Sequence, residues 1–276
     1  MRRVRSILRA ALLRVVLWAT VFVALFPILW MILSSLKPPD LVQAIPPVWS
    51  FTPTLNNYND VLNGGTSMGQ LITHSVVVAT LSTLLTLFLA LPAAYSLARL
   101  RFKGKRFLGS WILSTIMFPP VVSVIPVFIV VGQLGLMDTY PALVIPYTAF
   151  NLPVIIWMLR GFVKQIPEEI EEAAQIDGAS PLGVVRRVVF PLVAPGLAAA
   201  GILSFLFSWN EFLFALTLSR ATVKTAPVGV SEFTGMYGTQ WGDLTAASTM
   251  IAAPVLVLTL ILRRRIVQGL TFGAVK

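Results

Sequence analysis

Apolar residues gather along this chain in six stretches, at 15–36, 71–98, 107–131, 141–163, 191–218 and 244–262. A helix that crosses a bilayer needs about 20 mostly apolar residues, so the pattern predicts six transmembrane helices separated by short polar segments. Prolines 27, 92, 119, 120, 126, 146, 153, 195 and 254 fall inside these stretches. Each removes a backbone hydrogen bond, which predicts kinked helices whose freed carbonyls face protein or a wet cavity. Proline is also frequent in helices that only span, so any single kink has a plain structural reading as well. The expected fold class is an all-α integral membrane protein. It divides into an N-terminal basic segment with the first transmembrane helix (1–36), an external loop (37–70), a core of five transmembrane helices (71–263) and a cytoplasmic tail (264–276). The start, Met1-Arg-Arg-Val-Arg, resembles a signal-peptide n-region, but the apolar run behind it is longer than a cleavable one, which predicts a retained anchor.

Composition narrows the classes. With 57% hydrophobic and 12% charged residues and a mean hydropathy of +0.84, a soluble fold would leave too much apolar surface in water. Zero cysteines and one histidine exclude disulfide frameworks, thiol nucleophiles and metal sites built from Cys or several His. A membrane hydrolase would need a positioned base or a pair of intramembrane carboxylates, and only His74 at a span's outer edge and Glu211 inside one are on offer. The phosphate-cradling pattern Gly-x4-Gly-Lys-Ser/Thr does not occur; Gly104-Lys105-Arg106 lacks both the upstream glycine and the hydroxyl. The reading is therefore a non-enzyme that binds no cofactor, so that any ATP and Mg would be used by another chain.

Charge sets orientation. The net charge is +10, and 18 of the 21 Lys and Arg fall on one side of a six-span arrangement. Only Lys37, Arg220 and Lys224 fall on the other. That asymmetry places both termini, the 99–106 loop and the 164–190 loop in the cytoplasm, and it marks membrane lipid rather than nucleic acid as the basic residues' partner.

The 164–191 loop is the longest polar interruption on that side. Pro167 suits a first helical position, and Glu168, Glu169, Glu171 and Glu172 complement the positive end of a helix dipole. Gly178 can terminate that helix in the left-handed conformation, and Ser180-Pro181 can start a second one that Pro191 stops. Ile170, Ala173 and Ala174 would lie on one side of the first arm, small enough for another protein to approach. The bland alternative is a solvated acidic loop.

Within this loop Glu172-Ala173-Ala174, then three residues and Gly178, then nine residues and the closing Val188-Val189-Phe190-Pro191, are similar to the EAA loop of ABC importer permeases. The run EEAAxIDGAS, the later Ser208-Trp209-Asn210-Glu211-Phe212 and the terminal Gly269-Leu270-Thr271-x-Gly273-Ala274-Val275-Lys276 resemble carbohydrate permeases of the maltose-importer group, in particular the shorter, six-span member of the pair. The resemblance covers residues 10–276 and implies a type I permease fold with a cytoplasmic coupling helix, in a bacterial or archaeal plasma membrane. It implies that Glu172, Ala173, Ala174, Asp177, Gly178 and Pro191 form the contact and hinge with an ATPase. It further implies a second permease subunit, two ATPase subunits, an extracytoplasmic solute-binding protein and a carbohydrate substrate.

A competing reading is an ion-coupled secondary carrier, which would want ionisable groups at mid-membrane; another is an importer of a non-sugar solute such as a glycerol phosphate derivative. Glu211, within an aromatic cluster that includes Trp209 and beside Asn210, and Asn151 in the fourth span are the candidates for a substrate path. Their alternative role is hydrogen bonding between helices. Outside, the 37–70 segment reads as an ordered cap or loop, and Phe233, Tyr237 and Trp241 in 219–243 suit contact with an external partner or an interfacial belt.

Overall fold

The computed structural model describes residues 2–64, 67–235 and 238–271. Along the chain these form α1 (Arg2–Ser35), α2 (Pro39–Val42), α3 (Asn56–Asn63), α4 (Met68–Arg99), α5 (Lys105–Thr115), α6 (Pro120–Gln133) and α7 (Tyr140–Lys164). Then follow α8 (Glu168–Ile176), α9 (Pro181–Val184), a π-helical turn (Val185–Val189), α10 (Phe190–Leu192), α11 (Ala194–Trp209), α12 (Leu213–Leu218) and α13 (Ala226–Ser231). A two-stranded hairpin of β1 (Thr234–Gly235) and β2 (Gly238–Thr239) precedes α14 (Trp241–Thr271). Tyr237 and the Gly273–Lys276 end of the terminal motif lie outside the described residues.

Two compact units emerge. The first comprises Met1–Met68 and Val230–Ala253. Here α1 turns an exposed apolar surface outward, including Leu17, Trp18, Phe22 and Val23, as a lipid-facing helix does. Its end is tied down by Asn57 of α3, whose Nδ2 donates to the Ser35 carbonyl at 2.9 Å and the Lys37 carbonyl at 2.8 Å. The Ser35 carbonyl is one the helix end leaves unpaired and Lys37 lies just past it, so the amide acts as a cap from a distance in sequence. Gly242 makes room for it, since a Cβ there would stand 2.5 Å from Asn57 Oδ1. Lys37 is buried with its ammonium 4.4 Å from the Trp30 ring centre and 5.6 Å from that of Phe51, a cation held by aromatic faces rather than by solvent.

The second unit comprises Gly69–Gly229 and Pro254–Lys276. Its core is built on α4, α7 and α11, where Ala90, Ala94 and Ala200 alternate with Ile155, Leu159, Val163 and Leu197. Small residues let helices approach, which matters in lipid because apolar side chains gain little by leaving it. Gly196 marks one close approach: a Cβ there would lie 2.5 Å from the Phe162 ring. A second cluster packs Val78, Val131, Leu143 and Tyr147 against Phe214, Ala215 and Leu218.

Among the described residues four helices are long and apolar enough to cross a membrane unbroken, at Ala11–Ser35, Met68–Arg99, Tyr140–Lys164 and Trp241–Leu260, and two bent pairs, each counted as one span, bring the number to six. The structure thus corrects two of the expected spans. The 107–131 stretch is broken between α5 and α6 by a 95° bend at Pro119-Pro120. The 191–218 stretch ends as a helix at Trp209, and Leu182–Leu192 meets Ala194–Trp209 at 77°. Pro191 therefore does not stop the second helix of the loop; it sits inside α10, and the bend falls at Val193. Nor do most prolines break their helices. Pro27, Pro92, Pro126, Pro146, Pro153 and Pro254 all lie within continuous helices.

Candidate functional site

The first site is α8 and its attachment. Pro167 is the N-cap, one residue earlier than the first helical position expected for it, and offers no side-chain acceptor. The far end closes as anticipated. Gly178 adopts φ +84°, the Ala179 N–H donates to the Ala174 carbonyl at 3.0 Å, and the Gly178 N–H donates to the Gln175 carbonyl at 3.0 Å. These paired bonds around a left-handed glycine are a Schellman ending. Ser180 Oγ then accepts from the Gly183 N–H at 3.2 Å and caps the next turn. On α8, Ile170, Glu172 and Ala173 are exposed, while Ala174 is half-buried against the core beneath; Asp177 and Gly178 are exposed beyond the helix end.

The residue that the sequence reading did not single out is Glu171. It is buried, and its two oxygens have separate partners: Arg99 Nε donates to Oε1 at 2.7 Å and the Tyr95 hydroxyl to Oε2 at 3.0 Å. Arg99 also donates to the Val163 carbonyl at 2.9 Å, to the Ile166 carbonyl, and to exposed Glu168 at 3.4 Å. Four neighbouring glutamates look alike in sequence. Only the helical phase, which turns one of them toward α4, separates Glu171 from Glu172.

The second site lies around the break after α11. A cavity of about 240 Å³ is lined by Tyr147, Phe150, Asn151, Phe207, Ser208 and Glu211, among others. Asn151 is buried and donates from Nδ2 to Ser208 Oγ at 2.9 Å and more weakly to the Ser204 carbonyl at 3.4 Å. Ser82 Oγ donates in turn to Ser208 Oγ at 2.9 Å, so the amide belongs to a polar network joining α4, α7 and α11. Glu211 accepts from the backbone N–H groups of Phe214 at 2.9 Å and Ala215 at 3.2 Å, capping α12 after the break. The Tyr147 hydroxyl is buried at this wall without a hydrogen-bond partner among the described residues.

Two of the four expected path residues do not reach this cavity. Trp209 is 1% exposed and stacks on Phe205 with ring centres 5.7 Å apart, so its indole is part of the packing. Asn210 is exposed but spends its amide on the Leu206 carbonyl at 2.8 Å. Asn151 and Glu211 are at the cavity wall, and both are also tied into structure. His74 is paired through Nδ1 with the Tyr140 hydroxyl at 2.7 Å.

On the side opposite α8, Asp138 at φ +60° accepts from the backbone N–H groups of Arg220, Ala221, Thr222 and Val223, at 2.8 to 3.2 Å. Burial by itself would raise its pKa, but the four donors outweigh that and hold the carboxylate well below its usual range. The 37–70 cap contains α3, and the 219–243 segment contains α13 and the hairpin, with Trp241 exposed. Both segments are thus partly ordered, as the reading of 37–70 as an ordered cap or loop allows.

Bent spans around a mostly apolar cavity that Asn151, Ser208 and Glu211 edge with polar groups, and a short helix clamped to the spans' end, make up a polytopic transport component of the type I importer fold. The family model described as a binding-protein-dependent transport system inner membrane component matches residues 87–271, and the chain belongs to that family. It is 41% identical over 256 residues to the trehalose transport system permease protein SugB of Mycobacterium tuberculosis, covering 92% of this chain and 93% of that protein. It is 36% identical over 258 residues to the trehalose/maltose transport system permease protein MalG of Thermococcus litoralis, covering 92% of each. Among solved structures it resembles a chain of a bacterial ABC transporter that imports the acidic polysaccharide alginate. There the TM-score is 0.78 at 24% identity, over 95% of this chain and 96% of that one, a likeness of fold.

Proposed function

We propose that this chain is a permease subunit of an ATP-driven importer for a carbohydrate. It pairs with a second permease chain, receives solute from an extracytoplasmic binding protein, and docks two ATPase subunits' motion through α8. The observation that carries the docking is α8 itself. A nine-residue helix too short to persist alone is held rigidly while Ile170, Glu172 and Ala173 stay exposed on its other side. Asp177 and Gly178 form the hinge beyond it. The sugar assignment is supported by the relatives named for trehalose and trehalose/maltose transport. Asn151 and Glu211 are the residues of this chain placed to meet solute at the cavity wall. The ATP and Mg are used by the partner ATPase. Both termini and α8 face the cytoplasm, in keeping with 18 of 21 basic residues on that side.

The test is affinity purification from native membranes followed by uptake assays in proteoliposomes. A P-loop ATPase and a second multi-span permease should copurify, and uptake of a labelled disaccharide panel should need ATP and survive an ionophore. Recovery of the chain alone, with uptake that an ionophore collapses, would overturn the reading in favour of an ion-coupled carrier. A periplasm-active reporter fused after Lys103 should stay silent; activity there would invert the topology.

A further inference from the structure

A short helix that transmits force must be joined stiffly to what it moves. In this chain the joint is concentrated on one side chain. Arg99 occupies the last position of α4. From there it reaches Glu171 on α8 and the Val163 and Ile166 carbonyls at the end of α7. The Val163 carbonyl also accepts the Ile166 N–H at 3.2 Å, and Ile166 lies just past α7, so the guanidinium ends α4, braces the α7–α8 connection and holds α8. Tyr95, one turn earlier on the same face of α4, takes the second oxygen of Glu171 at 3.0 Å.

We propose that Arg99 is the positioning residue that makes α4, α7 and α8 move as one body, with Glu171 as its counter-charge and Tyr95 as a second tie; this rests on the coupling role of α8 given above. Three features of the geometry support it. First, α8 has no side-chain cap at Pro167 and is nine residues long, so its position comes from tertiary bonds. Second, of its four glutamates only Glu171 is buried. A buried ion pair is either made or broken, because a partly withdrawn partner leaves a bare charge away from water. Third, the planar guanidinium bonds α7 and α8 through different nitrogens, which fixes its plane as a lysine ammonium could not.

The joint also has somewhere to send a displacement. From Val163 the helix α7 runs without interruption to Asn151 and Tyr147 at the cavity wall, about 18 Å to Asn151 at 1.5 Å per residue. Glu171 and Glu172, adjacent in sequence, thereby divide the work. Glu172 faces outward to a partner, and Glu171 faces inward to the spans.

The experiment uses the complete importer reconstituted in proteoliposomes, with Glu171→Gln, Arg99→Lys and Tyr95→Phe, each compared at equal amounts of assembled complex. The readout is ATP hydrolysed per solute imported. Glu171→Gln keeps the shape and removes the charge; it and Arg99→Lys should raise the ratio by about tenfold or more, while hydrolysis loses its dependence on the loaded binding protein. Tyr95→Phe should give a smaller rise. Because the chain contains no cysteine, Arg99→Cys with Glu171→Cys can be joined by a short bifunctional methanethiosulfonate, and joining should restore the ratio. Normal coupling in Glu171→Gln would overturn the proposal. So would a parallel fall of hydrolysis and uptake that merely tracks lost complex, or uncoupling that persists in the joined pair. If the unaltered chain neither binds an ATPase nor supports ATP-driven uptake, it is the coupling role of α8 that fails instead.

Discussion

Gly178 offers a perturbation whose size can be worked out with few competing terms. Its φ is +84°, and a Cβ built on it meets nothing within 4 Å. Replacement by alanine therefore introduces no clash, and the cost is the left-handed backbone alone, about 1–2 kcal/mol for an L residue. That corresponds to roughly a 5- to 30-fold loss in the population of the closed turn. Asparagine tolerates this conformation and should cost less. Proline should cost most, at least the ~3 kcal/mol it costs inside a helix. It fixes φ near −65°, removes the N–H that donates to Gln175, and disfavours the helical backbone of Asp177 before it (φ −72°, ψ 7°). Hydrogen exchange of the Asp177–Ala179 amides in the purified importer should rise in the order asparagine, alanine, proline, the proline variant having no amide at 178 to follow. ATP-driven uptake should fall in the same order, with Gly178→Pro abolishing it while the chain still inserts. Unchanged uptake in both the alanine and proline variants, or an asparagine variant as damaged as proline, would refute the hinge argument.

Other outcomes follow from the same geometry. Asn151→Leu should destabilise the detergent-solubilised protein by about 0.6–1.7 kcal/mol, the range for interhelical hydrogen bonds in lipid. Combining it with Ser208→Ala should cost less than the sum in thermal melts, since both remove the same bond. Glu211→Ala should cost about 0.5–2 kcal/mol through loss of the α12 cap, and Glu211→Gln, which keeps an acceptor, should cost less; equal losses would rule out the capping role. For Asp138 the folded-state pKa is depressed, so its contribution is fully present above the usual carboxylate value of about 3.9 and is lost as pH falls below it toward the folded value. Exchange of the 220–223 amides, taken relative to each amide's intrinsic rate at the same pH, should accelerate on acidification below about pH 4 in the unaltered protein. In Asp138→Asn it should already be fast at neutral pH.

How much of this was legible from residues alone depends on the range of the interaction. Hydropathy is local, and so the apolar stretches, the start of α8, the left-handed Gly178 and the Ser180 cap could be read directly. Proline positions were legible but their consequences were not. Pro119-Pro120 sits at a 95° bend, whereas Pro146 and Pro153 lie within an unbroken α7, because neighbouring helices decide whether freed carbonyls are re-satisfied. The aromatic cluster around Trp209 pointed to a cavity, but the rotation of α11 turned the indole into the packing and left Ser208 and Phe207 at the wall.

Sequence by itself determined that the chain spans a membrane, where its basic residues cluster, and that a short acidic helix interrupts the spans, since each rests on composition or spacing within a few turns. Only the tertiary structure decided which of four glutamates is buried, that Lys37 rests on Trp30, that Asn57 caps α1 and that Arg99 gathers three helices. Those pairings join residues 7 to 72 positions apart. What selects them is the direction a side chain takes from its helix and the cost of leaving a polar group unpaired, and both are fixed only when the helices pack.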